Sequence, residues 1–345
     1  MTDRPDTLSR RPERADDAGA EAMDVLSDVL HSVRLTGSML FVVDASSPWI
    51  SQAPAADLFS STVLPGSRHI ISYHIVTQGH CDAGLADGPR HRLGAGDILV
   101  IPHGDPYFLC DLPTGARPAC DSDEALAFFR EMAAGKLPTV IPVGGDGEPQ
   151  TRFICGFLGC DSQPFNPVLA ALPSALILRR SDFTDSRMDA LIDFALGELR
   201  NPGSGSRNVL LRLSELMFAT SLRHYLQSRP EAQSGWLAGL SDPLVARALT
   251  LLHAHPEKAW TLESLCSLAG TSRTVLTERF GQLIGQPPMR YLNAWRMQKA
   301  AGLLAEGTLK VAAVAAAVGY DSEAAFSRAF RKFAGRPPAR WRQGE

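Results

Sequence analysis

The first half of the chain contains imidazole and thiol side chains of the kinds that hold metal ions. His74, His103 and a cysteine such as Cys81 or Cys155 could gather around zinc, because neutral imidazole and thiolate both suit this ion. The alternative is that these histidines pack or form hydrogen bonds inside their domain, and we favour that alternative. We therefore expect no bound metal and no cofactor.

A second chemistry open to this region is thiol oxidation. Cys155 and Cys160 form a C-x4-C pair, which we place in a strand and in the turn that follows it. If the chain turns back there, Cys160 can resolve a sulfenic acid formed on Cys155. In one straight strand the two sulfurs would lie ~16 Å apart. Ordinary packing of buried cysteines is the alternative.

Basic side chains are concentrated in the last third of the chain. Residues 241–345 carry 14 Lys and Arg against 8 Asp and Glu, whereas residues 1–240 carry 20 against 29. A basic C-terminal part on an acidic body is the charge distribution expected of a nucleic-acid-binding module joined to another domain.

The same basic region contains an internal repeat with an offset of 49 to 50 residues. Each copy has an apolar stripe at helical spacing, a glycine turn, a serine N-cap, a second stripe and a Gly-x-Pro-Pro stop. The matching residues are Gly270 and Gly319, Ser272 and Ser322, Leu276 and Phe326, Phe280 and Phe330, Leu283 and Phe333, Pro288 and Pro338. Each copy predicts a helix-turn-helix unit, whose second helix fits the major groove of DNA.

The segment between the two copies, MRYLNAWRMQKAAGLLAEG, predicts one continuous amphipathic helix. About 17 residues at 1.5 Å each give a length of ~25 Å. Such a rod can hold two recognition helices roughly one DNA turn, ~34 Å, apart.

The N-terminal part has a different pattern, with short alternating segments separated by turn residues. Segments 38–44, 68–78, 97–102 and 107–110 predict strands of a β-sandwich or barrel. Two amphipathic helices follow at 186–200 and 206–228, and 229–236 reads as a linker. These helices either cover the barrel or join two copies of the protein, and we favour dimerisation.

Residues 241–345 resemble the AraC-type DNA-binding domain, on the segments WTLESLCSLAGTSRTVLTERFGQLIGQPPMRYL, AWRMQKAAGLL and VGYDSEAAFSRAFRKFAGRPPARWR. The resemblance implies two helix-turn-helix units that bind double-stranded DNA. The base-reading residues it implies are Arg273, Thr274, Thr277, Glu278, Glu323, Ala324, Ser327 and Arg328. The candidate phosphate contacts are Ser272, Arg296, Lys299, Arg331, Lys332 and Arg340. Glu278 and Glu323 could equally lie on solvated faces.

Residues 23–180 resemble the cupin-type sensor that precedes many AraC-type domains, on motifs such as GDILVIPHGDPY and NPVLAALPSALILRR. A metal-binding cupin carries two histidines one residue apart, a following glutamate and a later histidine. Here Val76 follows His74 at that spacing, no glutamate follows, and Tyr107 stands where the later histidine is usual. We therefore expect no enzyme activity, and we take His74, His103, Tyr107, Cys155 and Cys160 as effector or redox candidates.

The sequence thus predicts an α+β protein with four parts. They are a disordered leader at 1–22, a cupin-like barrel at 23–185, a helical pair with linker at 186–235, and an all-α double helix-turn-helix domain at 236–345. We expect a cytoplasmic, sequence-specific transcription regulator that senses a small-molecule or oxidative signal. Its expected partners are DNA, a second copy and RNA polymerase, with no membrane. The alternatives are a metal-dependent cupin enzyme fused to a DNA anchor and a purely architectural DNA binder.

Overall fold

The computed structural model describes residues 25–29, 35–67, 69–112, 122–160, 165–183, 185–228 and 235–343. The predicted leader at 1–22, Cys120, and residues 229–234 of the predicted linker lie outside the described residues.

Ten strands make up the N-terminal domain within the described ranges. They are β1 (Leu35–Ser46), β2 (Trp49–Ala53), β3 (His69–Gln78), β4 (His80–Leu85), β5 (His91–Gly94), β6 (Ile98–Ile101), β7 (Tyr107–Asp111), β8 (Val140–Gly144), β9 (Thr151–Cys160) and β10 (Leu176–Leu178). The four strands that the alternating pattern predicts correspond to β1, β3, β6 and β7. Of the other six, β9 was expected only as a strand around Cys155, and sequence patterns did not indicate β2, β4, β5, β8 and β10, several of which are short or interrupted by polar residues.

The strands form two sheets that face each other. The larger sheet has the order β10-β6-β3-β9-β1-β8, and the smaller has the order β2-β7-β4-β5. Every recorded pairing is antiparallel except that of β1 with β8. Because successive side chains of a strand point to opposite faces, Val43 enters the space between the sheets while Val42 faces away from it. The predicted combination of a barrel-like domain with helices, an α+β fold, is confirmed.

Six helices accompany the sheets: α1 (25–29), α2 (Ser60–Val63), α3 (Ser122–Ala133), α4 (Pro167–Ala171), α5 (Arg187–Arg200) and α6 (Ser206–Ser228). The last two coincide with the predicted helical pair. Met217 and Leu222 of α6 join the buried cluster on the outer face of the large sheet, where Tyr73 also lies. The amphipathic pattern of the two helices places Phe194 and Leu216 on their apolar stripes, yet these side chains are 57% and 52% exposed.

The C-terminal part is all helical over the described residues. Its helices are α7 (Gly235–Ser241), α8 (Pro243–Ala254), α9 (Leu262–Ala269), α10 (Arg273–Ile284), α11 (Pro288–Glu306), α12 (Val311–Ala317), α13 (Glu323–Ala334) and α14 (Pro338–Arg342). The predicted connecting helix is continuous as α11, with 19 residues. Trp236, assigned to the linker from sequence, is instead a buried residue of α7. Among the described helices, none has the length and apolarity that crossing a bilayer requires.

One hydrophobic core runs from the outer face of the large sheet to the first helix-turn-helix unit. It includes Leu26 and Val29 of α1, Leu222 of α6, and Trp295 of α11. The backbone amide of Phe165 also donates to Gln298 Oε1 at 2.9 Å, which joins the segment before α4 to α11. The second unit has a separate core around Phe326 and Phe330. The first helix-turn-helix unit is therefore packed against the N-terminal domain, whereas the second has a core of its own.

Substitution of Leu26 with Ala tests whether α1 contributes to that shared core. Leu26 is almost fully buried, so its truncation leaves a cavity and should lower the free energy of unfolding by about 2–5 kcal/mol. Chemical denaturation of the full chain measures this change. Ser27→Ala is the matched control, because Ser27 is exposed on the same helix and its truncation should have little effect. Equal stability of the two variants would show that α1 is not part of the core.

Candidate nucleic-acid interface and sensor cavity

The first helix-turn-helix unit is built by local capping interactions. Thr261 accepts from the amide of Ser264 and begins α9, and Gly270 ends it with φ of 73° in the left-handed region. Ser272 Oγ then accepts from the amide of Val275 at 3.3 Å and begins α10. These caps satisfy backbone groups that a helix end leaves unpaired, so the turn between α9 and α10 is fixed by sequence.

The second unit repeats this design with a tighter contact. Gly319 has φ of 80°, and a Cβ atom there would lie 2.4 Å from the carbonyl oxygen of Glu257, so only glycine fits. Ser322 Oγ accepts from the amide of Ala325 at 3.2 Å and begins α13. Both predicted serine N-caps are therefore present.

The eight predicted base-reading residues lie together on the outer faces of the two second helices. All of them are exposed or half-buried, whereas Leu276 and Phe280 of α10, like Phe326 and Phe330 of α13, are buried. Residues at positions i, i+1, i+4 and i+5 share one side of a helix. Each helix thus presents a polar face to solvent and an apolar face to its core. The eight residues are Arg273, Thr274, Thr277, Glu278, Glu323, Ala324, Ser327 and Arg328.

The candidate phosphate contacts divide into two groups. Ser272, Arg331, Lys332 and Arg340 are exposed. Arg296 is half-buried, and its guanidinium donates to the carbonyl oxygens of Pro256 at 2.6 Å and Lys258 at 2.7 Å.

Two of the five N–H donors of Arg296 are thus used by carbonyl groups of the loop before α9, and its contact with phosphate stays a prediction. Lys299 is half-buried, with its Nζ 5.9 Å from the centre of the Trp295 ring.

Sequence reasoning missed a polar chain that connects α7, α11, α8 and α1. Trp236 Nε1 donates to Tyr291 Oη at 2.8 Å, and Tyr291 Oη lies 2.8 Å from His253 Nε2. The carboxylate of Asp28 lies 3.7 Å from His253 Nδ1. Burial lowers the pKa of His253 although Asp28 opposes the shift, and burial raises the pKa of Tyr291. The Tyr291 hydroxyl therefore donates to a neutral His253.

The space between the sheets opens into a cavity of about 210 Å³. His74, Tyr107 and Cys155 all line it, together with aromatic residues of β1, β9 and α3. The rings of His74 and Tyr107 come from opposite sheets and lie 4.9 Å apart. Three of the five effector or redox candidates are thus brought together.

A hydrogen bond between two neighbouring strands sets the polar character of this cavity. His74 and Cys155 are direct register partners in β3 and β9, and His74 Nδ1 lies 3.1 Å from Cys155 Sγ. Burial lowers the pKa of His74 to about 3 and raises the pKa of the Cys155 thiol well above its usual value. Both groups are therefore neutral near pH 7.

The other two candidates lie elsewhere. His103 is exposed outside the cavity, and its Nε2 is 2.9 Å from the carbonyl oxygen of Leu172. Cys160 lies in the same strand as Cys155, and an odd separation of five puts their side chains on opposite faces of the sheet. The predicted strand-to-turn step between these cysteines is wrong, so Cys160 cannot resolve an oxidised Cys155.

Known proteins match both parts of the chain. A family profile described as cupin matches residues 24–227, and one described as helix-turn-helix domain matches residues 265–344. An AraC-like transcription regulator of Streptomyces antibioticus is 44% identical over 327 residues, which are 93% of this chain and 99% of that protein. One of Streptomyces lividans is 43% identical over 146 residues, 42% of this chain and 48% of that protein.

A more distant relative aligns over the same span. The HTH-type transcriptional regulator AlkR of Acinetobacter baylyi is 27% identical over 324 residues, again 93% of this chain and 99% of that protein. The two capped helix-turn-helix units and the two-sheet domain thus occur in a chain that aligns with such regulators along nearly its whole length. The chain belongs to the AraC-type family of DNA-binding transcription regulators, with a cupin domain ahead of its helix-turn-helix domain.

Proposed function

We propose that this regulator reads a specific duplex sequence with α10 and α13, and that a small molecule in the sensor cavity alters this binding. The observation that carries the proposal is the pair of solvent-facing helix surfaces held by α11. Nineteen residues at 1.5 Å each give α11 a length of ~28 Å, comparable to the ~34 Å of one DNA turn. Two recognition helices at this separation can enter successive major grooves.

Arg328 and Lys332 offer a direct test, since both are exposed residues of α13. We assign Arg328 to a base and Lys332 to phosphate, because a guanidinium can pair bidentately with guanine O6 and N7. Arg328→Ala should cost about 1–3 kcal/mol at the preferred operator and relax the preference at one base pair. Lys332→Ala should weaken binding to all sequences about equally. Titrations of operator and random duplexes at several salt concentrations measure both effects.

The comparison of Arg328→Ala with Lys332→Ala also defines the result that would contradict this assignment. Loss of a lysine contact should reduce the slope of log affinity against log salt by about one. Equal losses on operator and random DNA for Arg328→Ala would mean that this side chain contacts phosphate rather than a base.

A small molecule is a better candidate for the signal than an oxidant. The thiolate is the form of cysteine that reacts with oxidants, and burial disfavours it at Cys155. The cavity, by contrast, has the mostly apolar lining with a few polar groups that is typical of a ligand site. Because α6 packs on the outer face of the sheet that walls the cavity, ligand binding can affect the core shared with α10 and α11.

We further propose that α5 and α6 pair with the same helices of a second copy. Phe194 on α5 and Leu216 and Val209 on α6 are exposed apolar side chains on helices whose buried apolar residues lie on the opposite, inward-facing side. A dimer would remove this surface from water and bind two DNA half-sites. RNA polymerase is the partner through which such a regulator would act on transcription.

Phe194→Glu tests the dimer, because a carboxylate at the centre of an apolar interface is costly to desolvate. Sedimentation of the full chain should shift from dimer toward monomer, with at least tenfold weaker self-association. Asp193→Ala, at the neighbouring exposed position of α5, should behave like the parent. Unchanged self-association of Phe194→Glu would place the dimer interface elsewhere.

The cavity residues do not fit the metal site of a catalytic cupin. His74 is held by Cys155, and the facing position is Tyr107, whose burial raises its pKa and keeps it protonated. Across the described ranges, no three His, Cys, Asp or Glu side chains gather as a metal-binding set. We therefore assign the cavity a binding role and derive no catalytic step there.

Chelation tests that assignment. Incubation of the purified full chain with EDTA should leave its operator affinity and its melting temperature unchanged. Apo-protein reloaded with zinc or iron serves as the control. One tightly held metal ion per chain, with loss of operator binding on its removal, would contradict the assignment.

A further inference from the structure

Four phenylalanines form one part of the wall of the sensor cavity. Phe128 and Phe129 of α3 approach Phe41 and Phe157 of the large sheet, with ring centres 6.0 Å apart for Phe41 and Phe128 and 5.4 Å apart for Phe129 and Phe157. An apolar cavity of about 150 Å³ is large enough for benzene. The volume of about 210 Å³ therefore suits a single ring with a short substituent. Phenylalanine edges and faces favour a flat apolar body.

One polar atom in this lining is buried without a partner among the described residues. It is His74 Nε2, on a side chain that is 2% exposed. The Cys155 thiol is protonated, and an imidazole nitrogen is a stronger acceptor than sulfur, so the thiol donates to His74 Nδ1. A neutral imidazole that accepts at Nδ1 carries its hydrogen on Nε2. His74 Nε2 is thus a hydrogen-bond donor, and burying it unpaired costs stability.

The charge of the lining restricts the ligand further. Among the described residues that line the cavity, Glu124 of α3 is the charged one, and it is exposed. An anion in the cavity would have no positive side chain beside it, and an unpaired buried charge is strongly unfavourable. A cation could pair with the carboxylate of Glu124 only at a solvent-exposed position, and beside His74 it would face a repelling N–H group. An uncharged ligand avoids both costs.

A second unpaired polar atom, Gln52 Oε1, is a less suitable recognition group. Gln52 is the register partner of Phe108, whereas Ala53 is the partner of Tyr107, which faces His74 across the cavity. Neighbouring residues of a strand point to opposite faces. Gln52 lines the cavity, but the register places it beside Phe108 and not beside Tyr107, whose ring faces His74.

From this geometry we infer that the effector is an uncharged molecule of about one aromatic ring that carries a hydrogen-bond acceptor, and that His74 Nε2 donates to this acceptor. The inference rests on the proposed sensing function and specifies the class of ligand. His74 is a specificity-determining residue in this scheme, while the phenylalanines supply most of the binding energy through apolar burial.

Four probes of similar size separate the contributions of shape, acceptor and charge. They are acetophenone, ethylbenzene, benzoate and benzylammonium, titrated into the full chain by calorimetry and by thermal shift. Acetophenone should bind at least tenfold more tightly than ethylbenzene, since only the ketone pairs with His74 Nε2. Benzoate and benzylammonium should bind weaker than either. Tighter binding of a charged probe, equal binding of the two neutral probes, or no binding of any probe would overturn the inference.

Two sets of variants locate the binding. Ala125→Phe fills the cavity from α3 and should abolish acetophenone binding, whereas Ala127→Phe, on the exposed side of α3, should retain it. His74→Phe should bind acetophenone and ethylbenzene alike, while the exposed His80→Phe should keep the parent's preference. Acetophenone binding that survives Ala125→Phe would place the site elsewhere.

Operator titrations on the same samples distinguish a failure of the ligand inference from a failure of the DNA-binding proposal. If the probes fail while the contrast between Arg328→Ala and Lys332→Ala holds, the ligand class is wrong and the DNA-binding proposal stands. If the probes bind as expected while that contrast is absent, the assignment of the recognition helices is wrong.

Discussion

The large sheet of the cupin domain is buried on both faces, and most of the architecture depends on this constraint. Its inner face encloses the cavity with the smaller sheet, and its outer face packs against helices that continue into the first DNA-binding unit. Because successive side chains of a strand point to opposite faces, the position of a residue in its strand determines whether it faces the cavity or the helices. Tyr73 and His74 are neighbours in β3, yet Tyr73 Oη lies 3.5 Å from Ser221 of α6 while His74 lines the cavity. A shift of β3 that begins at His74 in the cavity therefore also moves Tyr73, which lies against α6.

The two DNA-binding units are held unequally. The first shares its core with the cupin domain and is connected to α1 and α7 through Asp28, His253, Tyr291 and Trp236. The second has its own core, and it contacts the loop before α9 through Gly319. Arg296 of α11 donates hydrogen bonds to carbonyl groups of the same loop. The position of the second recognition helix relative to the first thus depends on α11 and on this one loop.

Sequence patterns predicted what local chemistry controls. Glycine turns, serine caps and 3.6-residue stripes are each set within a few neighbouring residues, so both helix-turn-helix units and α11 could be predicted. The strands β2, β4, β5 and β8 were missed because short strands with mixed polar residues lack a distinctive period. The C-x4-C pair was misplaced for a related reason. No turn residue separates Cys155 from Cys160 except Gly156 and Gly159, and both glycines lie within β9.

Long-range contacts explain the remaining differences between the sequence predictions and the structure at the candidate sites. Arg296 was predicted from sequence as a phosphate contact, and only the fold shows that carbonyl groups of Pro256 and Lys258 accept two of its hydrogen bonds. His103 stands in a motif typical of cupins, but β6 ends before it and the histidine is left outside the barrel.

The pairing of His74 with Cys155 likewise joins residues 81 positions apart. It requires the register of β3 with β9, which depends on burial of both faces of the sheet at once. The feature that makes the cavity neutral and leaves one donor unpaired is thus a property of the assembled sheet, which explains why residue types alone left metal binding, oxidation and packing all open.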